Sequence, residues 1–233
     1  MALRVFVGTS GFSYTAWKGS FYPKELKSDG FLRFYAERFE TVEINNTFYR
    51  MPKKEVLERW PDQVPPGFTF VLKASQRITH MKRLKDVSSE IAYFIETART
   101  LGDQLGPVLF QLHPTMKQDL PRLQDFLAIV PEGVQAVLEF RHESWFAEPV
   151  YETLRAHNAA LCIADTEEGC SPLVATASHG YLRLRRPDYD VDALRLWRDR
   201  VQQQAWDQAF VFFKHEDEAR GPYFARQFLD LLE

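Results

Sequence analysis

The sequence predicts an α/β protein of the TIM type, a single (β/α)8 barrel that spans residues 1–233 as one domain. Eight short runs rich in β-branched and aromatic residues alternate with amphipathic stretches of helical periodicity, which is typical of βα units around a parallel sheet. A length of 233 residues also suits one barrel of this type. Since no Gly/Ser-rich linker or change in composition divides the chain, we expect one domain.

The eight predicted strands are the runs with the densest β-branched and aromatic content. They occupy residues 4–8, 41–45, 69–74, 108–113, 136–141, 160–165, 180–185 and 209–214. Seven helical patterns follow or separate them, at residues 30–38, 54–60, 88–100, 120–129, 149–157, 192–203 and 221–232. Eight parallel strands are the number that closes a TIM-type barrel.

Composition and charge exclude several classes of protein. The chain is 45% hydrophobic and 26% charged, as expected of a globular protein with a large core. A formal net charge of −3 gives no overall attraction to nucleic acid or anionic membranes, so we regard nucleic acid as an unfavoured partner. No run of 18 apolar residues and no signal-peptide pattern occurs, which predicts a cytoplasmic protein without membrane association.

Polar side chains gather toward the carboxyl ends of the predicted strands. Alternate residues of a strand point to the same side, so each strand can be followed from an apolar start to a polar end. The polar residues found in this way are Glu43, Asn45, Lys73, Gln111, His113, Glu139, Arg141, Asp165, Arg183, Arg185, Lys214 and His215. Active sites of TIM barrels lie at the carboxyl ends of the strands. We therefore expect one pocket surrounded by Glu43, Lys73, Glu139, Arg141, Asp165, Arg183 and Lys214, with Gln111, Asn45 and His113 or His215 as hydrogen-bonding partners.

An alternative interpretation is that these charges only pair with one another and cap the core. Arg141 or Arg183 would then bind Glu139 or Glu43, because a desolvated charge needs a partner whether or not chemistry occurs. For the cluster as a whole we favour a functional site, since burying so many charges merely to stabilise a fold is inefficient.

The connection after the first strand, residues 9–30, is far longer than a usual βα loop. It contains Tyr14, Trp17, Phe21 and Tyr22, and we expect it to form a lid or wall at one end of the barrel.

Five ordered segments resemble a known family. They are GTSGFSYTAWKGSFYP at 8–23, VEINNTFYRMP at 42–52, ITH at 78–80, LGPVLFQLHP at 105–114 and EFRHESW at 139–145. Together they resemble the YecE-like family, a domain of unknown function also called DUF72. The resemblance is strong from residue 8 to about residue 145 and looser beyond it.

The resemblance implies a TIM-barrel-like fold and a site built from the family's motifs, but no established reaction. The matching positions here are Gly8, Ser10, Trp17, Glu43, Asn45, Phe48, Tyr49, Lys73, Thr79, His80, Gln111, Glu139, Arg141, Trp145 and Asp165. The C-terminal third departs from the commoner family pattern at Arg183, Arg185, Lys214 and His215. These four residues predict a different anion preference in this chain.

The leading hypothesis is an enzyme that performs acid/base chemistry on a small anionic metabolite, either carboxylated, phosphorylated or sugar-like. Neighbouring opposite charges tune each other's proton affinity, and arginine suits bidentate binding of carboxylate or phosphate. The predicted catalytic residues are Glu43, Lys73, Glu139 and Asp165, with Glu43 or Glu139 as general base and Lys73 or Lys214 as general acid or electrostatic stabiliser. The predicted substrate-binding residues are Ser10, Tyr14, Trp17, Asn45, Phe48, Tyr49, His80, Gln111, Arg141, Trp145, Arg183, Lys214 and His215.

Three alternatives stay open at this point. A metal-dependent hydrolase or sugar isomerase would use Glu43, Glu139, Asp165 and a histidine as ligands, although the six histidines show no metal-binding spacing. Lys73 on an apolar strand could form a Schiff base, although an ion pair is the simpler expectation. A non-catalytic protein could instead bind small molecules or nucleic acid through its aromatic residues. No cofactor motif occurs, so the sequence identifies no cofactor.

Overall fold

Eight parallel strands close into a barrel in a computed structural model, which describes residues 3–215 and 217–233. The barrel strands are β1 (Arg4–Ser10), β2 (Thr41–Ile44), β3 (Thr69–Lys73), β4 (Leu105–Gln111), β5 (Ala136–Glu139), β6 (Ala160–Thr166), β8 (His179–Leu184) and β9 (Gln208–Phe213). Pairing of β1 with β9, from Arg4 opposite Gln208 to Thr9 opposite Phe213, completes the ring. The predicted TIM-type barrel is confirmed.

Helices follow the strands in the order expected of βα units. They are α1 (Phe31–Ala36), α2 (Lys54–Leu57), α3 (Ser88–Ala98), α4 (Leu120–Ala128), α5 (Glu148–Ala156), α6 (Val191–Gln202) and α7 (Arg220–Asp230). The connection from β6 to β8 departs from this pattern. It contains β7 (Gly169–Cys170), which folds back antiparallel on the end of β6, and irregular chain over the rest of residues 167–178.

Side-chain alternation along the strands separates two layers of core. Phe6, Val71, Leu109, Val137 and Tyr181 belong to a cluster inside the barrel. Their sequence neighbours on the strands pack outward against the helices in a larger cluster. Residues two positions after an interior residue also face inward, and this rule brings Lys73, Gln111, Glu139 and Arg183 to the interior at the carboxyl end.

The long connection after β1 forms part of the outer layer. Trp17 and Tyr22 are almost completely buried in the larger cluster, and the Tyr22 ring stacks on Phe31 of α1 with centroids 4.1 Å apart. The short 3-10 turn Thr15–Trp17 also contacts the turn Asp217–Ala219 before α7. The segment is therefore a packed wall, and it connects the region after β1 with the region before α7.

Candidate functional site

Arg183 lies at the centre of a buried charge network at the carboxyl end of the barrel. Its Nη1 donates to Oε2 of Glu139 at 2.6 Å and its Nη2 donates to Oε1 of Glu43 at 2.8 Å. All three side chains are at most 1% exposed. The pairing of Arg183 with Glu139 and Glu43 is thus as the alternative interpretation expects, and β2, β5 and β8 are joined through one guanidinium.

Further hydrogen bonds complete the coordination of both carboxylates. The Tyr181 hydroxyl donates to Oε2 of Glu43 at 2.6 Å, and Asn45 donates to its Oε1 at 3.2 Å. Glu139 Oε1 accepts from Arg185 and from Gln111, each at 2.9 Å. Ser10, also buried, lies opposite Glu43 in the β1–β2 register.

The environment keeps both carboxylates ionised. Burial alone would raise the pKa of Glu139, but the charges of Arg183 and Arg185 and the hydrogen bonds to it lower that pKa to about 2. For Glu43, the opposing effects of burial and of Arg183, Tyr181 and Ser10 also leave the pKa below its ordinary value. A carboxylate held in this way is a strong electrostatic anchor and a poor proton acceptor near neutral pH.

Lys73 connects the network to the barrel mouth. Its Nζ donates to Oε1 of Gln111 at 2.8 Å and lies 4.2 Å from the centre of the Phe48 ring. The expected ion pair of Lys73 is absent from the described part of the chain, where no carboxylate lies within 4.0 Å of Nζ. Burial, then the charge of Arg183, lowers the pKa of Lys73 to about 8 despite the opposing effect of Glu43 and Glu139.

Two histidines stand beside Lys73 on the connections after β3 and β4. The His80 ring packs edge-on against Phe48 at 4.8 Å and against His113 at 5.2 Å. Burial and the nearby charges of His113, Lys73 and Arg141 lower the pKa of His80 to about 4. His80 is consequently a neutral imidazole at pH 7, able to accept a proton.

An open cavity of about 600 Å³ lies next to Glu139. Arg141 and Arg185 supply cationic lining, Ser171 supplies a hydroxyl, and Glu143 and Glu168 also line it. Arg141 and Lys214 are exposed, and neither forms an ion pair among the described residues. In the part of the chain that the structure describes, these two cations at the mouth thus lack a carboxylate within 4.0 Å.

Asp165 does not join this site. It follows Leu161 and Ile163 on the outward face of β6 and accepts hydrogen bonds from Tyr189 and from Trp197 of α6, each at 3.0 Å. Arg186 also binds it at 3.0 Å. The expectation that Asp165 shares the pocket with Glu43 and Glu139 is therefore wrong, because the inward residues of this strand include Ala160 and Cys162.

Several predicted substrate-binding residues are structural in their contacts. Trp145 is fully buried, stacks on Phe140 at 4.7 Å and donates its Nε1 proton to the Met116 carbonyl. Trp17 is buried under Tyr14, with ring centroids 4.8 Å apart. His215 bonds the Arg186 carbonyl and packs on Phe224 of α7 at 5.0 Å.

Tyr49, by contrast, is 73% exposed and packs edge-on against Phe48 at 5.0 Å. It therefore borders the part of the mouth that holds Lys73 and His80.

Sequence reasoning missed Tyr181 as a member of the network. Its hydroxyl holds Glu43 from across the barrel, and burial with the neighbouring charge of Glu43 raises its pKa far above the ordinary value. The signal was available, because Tyr181 shares the strand face of Arg183. An isolated tyrosine on a strand is nevertheless more often a core residue.

No group of three or more His, Cys, Asp or Glu side chains is placed to hold a metal ion in residues 3–215 and 217–233. No helix in these ranges is both long and apolar enough to cross a bilayer.

Two UPF0759 proteins are similar to this chain in sequence. YunF of Bacillus subtilis (strain 168), a UPF0759 protein, is 26% identical over an alignment that covers 98% of this chain and 95% of YunF. YecE of Escherichia coli (strain K12) is 33% identical over 118 residues, which cover 50% of this chain and 43% of YecE. The chain thus matches less than half the length of YecE.

Solved structures give the same result for the fold. A DUF72 family protein from Thermotoga maritima superposes with a TM-score of 0.85 at 27% identity, covering 98% of this chain and 99% of that one. A DUF72 family protein from Enterococcus faecalis gives a TM-score of 0.79 at 19% identity, covering 99% and 95%. The family model described as "Protein of unknown function DUF72" matches residues 6–233, and the chain therefore belongs to the DUF72 family.

Proposed function

We propose that this protein is an enzyme that binds a small carboxylated, phosphorylated or sugar-like anion at the barrel mouth and transfers a proton to or from it. The observation that carries the proposal is the distribution of charge. Glu43 and Glu139 are already neutralised by Arg183 and Arg185, whereas Lys73, Arg141 and Lys214 lack carboxylate partners among the described residues. An anionic ligand would supply the missing charge.

The roles within the site follow from exposure and proton affinity. Arg141 and Lys214 are exposed and suit recognition of the anion. Lys73 suits proton transfer because its pKa of about 8 lies near neutral pH, and His80, a neutral imidazole at pH 7, suits hydrogen bonding to the substrate. We assign Glu43 and Glu139 to positioning Arg183, Arg185 and Gln111 instead of to proton abstraction.

The binding part of the proposal is tested by thermal unfolding with a panel of 2-oxo acids, sugar phosphates and neutral sugars. A ligand at about 100 times its dissociation constant stabilises the native state by about 2.7 kcal/mol, a rise of roughly 5–10 °C for a chain of this size. Arg141→Ala should lose the rise that one anion class produces. Arg195→Ala should keep it, because Arg195 is an exposed arginine on α6. A panel in which neutral sugars and anions behave alike would overturn the proposal.

The chemical part is tested by proton exchange on the anion identified in this way. In deuterated water, catalysed transfer at a carbon atom replaces the ligand's proton signal in the NMR spectrum. We expect exchange with the wild type and loss of it with Lys73→Met, while Arg195→Ala exchanges normally. Binding without exchange or any other turnover would indicate a binding protein.

A further inference from the structure

The surroundings of Lys73 differ from those of a lysine whose ammonium only pairs with a carboxylate. Its Nζ contacts an amide oxygen of Gln111 and the face of Phe48. Lys82, on the following connection, instead lies 2.9 Å from a carboxylate oxygen of Glu90. Partial burial and the nearby charge of Arg183 disfavour the ammonium relative to the neutral amine, although Glu43 and Glu139 act in the opposite direction.

The neutral amine is the nucleophilic form of lysine. With a pKa of about 8, about a tenth of Lys73 is neutral at pH 7, against roughly three in ten thousand for an ordinary lysine. The side chain is also oriented, because Gln111 is itself held by Glu139 at 2.9 Å. Lys73 therefore presents a directed amine that is partly exposed at the barrel mouth.

We propose that Lys73 forms an imine with the carbonyl carbon of an anionic aldehyde or 2-oxo acid, an inference that rests on the proposed function and narrows its substrate class. The Nζ lone pair forms the C–N bond, while the carbonyl π pair moves to oxygen, which takes the proton released from nitrogen. The carbinolamine hydroxyl then takes a proton from solvent and leaves as water, and the nitrogen lone pair forms the C=N bond of a protonated imine. No oxidant or reductant is required.

The position of the imine suits the charges around it. The charge of Arg141 lowers the pKa of His80, and the charge of Lys214 lowers that of Lys73. Both cations are available for the carboxylate or phosphate of the substrate. A protonated imine withdraws electrons from the adjacent carbon, and neutral His80 is the group beside it that can accept the proton released there. This arrangement links covalent binding to the proton transfer of the proposed function.

The test is reductive trapping of the chain of residues 1–233 with glyoxylate and with glycolaldehyde, an anionic and a neutral aldehyde of similar size. Borohydride reduces an imine to a stable secondary amine, which peptide mass mapping locates. With glyoxylate at pH 7 we expect Lys73 to be labelled at least tenfold more than Lys82, whose Nζ is held by a Glu90 carboxylate oxygen at 2.9 Å. The excess should be smaller with glycolaldehyde.

Two further measurements test whether the amine of Lys73 is the reacting group and whether Arg141 binds the anion. The initial rate of labelling of Lys73 should rise with pH and reach a plateau above about pH 8. Arg141→Ala should lower the labelling of Lys73 by glyoxylate but not by glycolaldehyde. Neither measurement requires a variant of Lys73 that folds.

Labelling spread over exposed lysines without preference for Lys73 would overturn the inference. If the anion-induced rise in melting temperature persists in that case, the proposed function stands and only the imine is wrong. If the rise is absent as well, both fail.

Discussion

At the scale of single residues, Arg183 determines how this site is built. A guanidinium and two carboxylates are removed from water together, and their mutual attraction offsets desolvation only because each oxygen is also hydrogen-bonded. The sequence identified Glu43, Glu139 and Arg183 as residues of one pocket. Their direct pairing was only an alternative, because residue types on three separate strands do not give interatomic distances.

The first prediction concerns the loss of this guanidinium. Arg183→Met should lower the free energy of unfolding by about 3–5 kcal/mol, because Glu43 and Glu139 would remain buried without their shared counter-ion. Urea denaturation measures the change. Arg195→Met, which removes an exposed arginine paired with Asp192, should change it by less than about 1 kcal/mol. An equally small effect at Arg183 would show that the network does not stabilise the fold.

The second prediction concerns acid stability. Glu139 has a folded pKa of about 2, below its ordinary value of 4.5, so the unfolded chain binds its proton first as the pH falls. The stabilisation is complete above about pH 4.5 and is lost as the pH falls through about 2. Denaturation at pH 7, 4 and 3 should show a smaller decline in Glu139→Gln than in the wild type. Parallel declines would contradict the low pKa.

At the scale of elements, the connection from β3 to α3 departs most from regular structure near the site. Residues Arg77–Met81 form one π-helical turn, and Arg83, Leu84 and Asp86 have left-handed φ angles of 51°, 67° and 52°. Both features cost free energy and occur often at functional sites. Sequence patterns do not indicate these features, because none of the positions is a glycine and the strain depends on tertiary contacts.

The strand β1 supplies a prediction on barrel closure. A Cβ added at Gly8 would lie 2.1 Å from the Thr41 carbonyl oxygen and 2.9 Å from the Tyr35 hydroxyl. Gly8→Ala must therefore push β1 away from β2, and we expect a loss of at least about 2 kcal/mol in the free energy of unfolding. Gly67→Ala is an unsuitable control because of its positive φ, but exposed Ser20→Ala should be nearly neutral. Wild-type stability in Gly8→Ala would contradict this packing.

At the scale of the whole molecule, closure of the barrel is what assembles the site. Four residues of the site lie on the consecutive strands β2–β5, namely Glu43, Lys73, Gln111 and Glu139. Arg183 lies on β8 and reaches them only because the barrel is closed. The sequence predicted the barrel and the inward direction of these residues, because Lys73, Gln111, Glu139 and Arg183 each follow an apolar residue of the interior by two positions. Glu43 instead alternates with Val42 and Ile44, which face outward. The prediction that Asp165 faces the pocket was wrong because both faces of β6 are apolar, as in other buried parallel strands. Hydrophobicity therefore does not indicate to which side of the strand this side chain points.

The charge distribution of the mouth predicts a dependence on ionic strength. Arg141 and Lys214 are exposed and therefore screened by salt, whereas Arg183 is buried and is not. Affinity for the anion identified by thermal unfolding should fall as sodium chloride rises from 50 to about 500 mM, while the free energy of unfolding without ligand changes little. Calorimetric titration at both salt concentrations measures this difference. Salt-independent affinity would place the anion away from the exposed cations.

The most direct measurement is the position of a bound anion in a crystal. Selenate is an oxyanion whose selenium atom gives an anomalous signal, so its site in a soaked crystal is found without assumptions about the ligand. We expect a peak at the barrel mouth with its oxygens on Arg141 and on Lys73 or Lys214, and no such peak in Arg141→Ala crystals. Well-occupied selenate elsewhere on the protein, with none at the mouth, would contradict the claim that this end of the barrel is an anion-binding site.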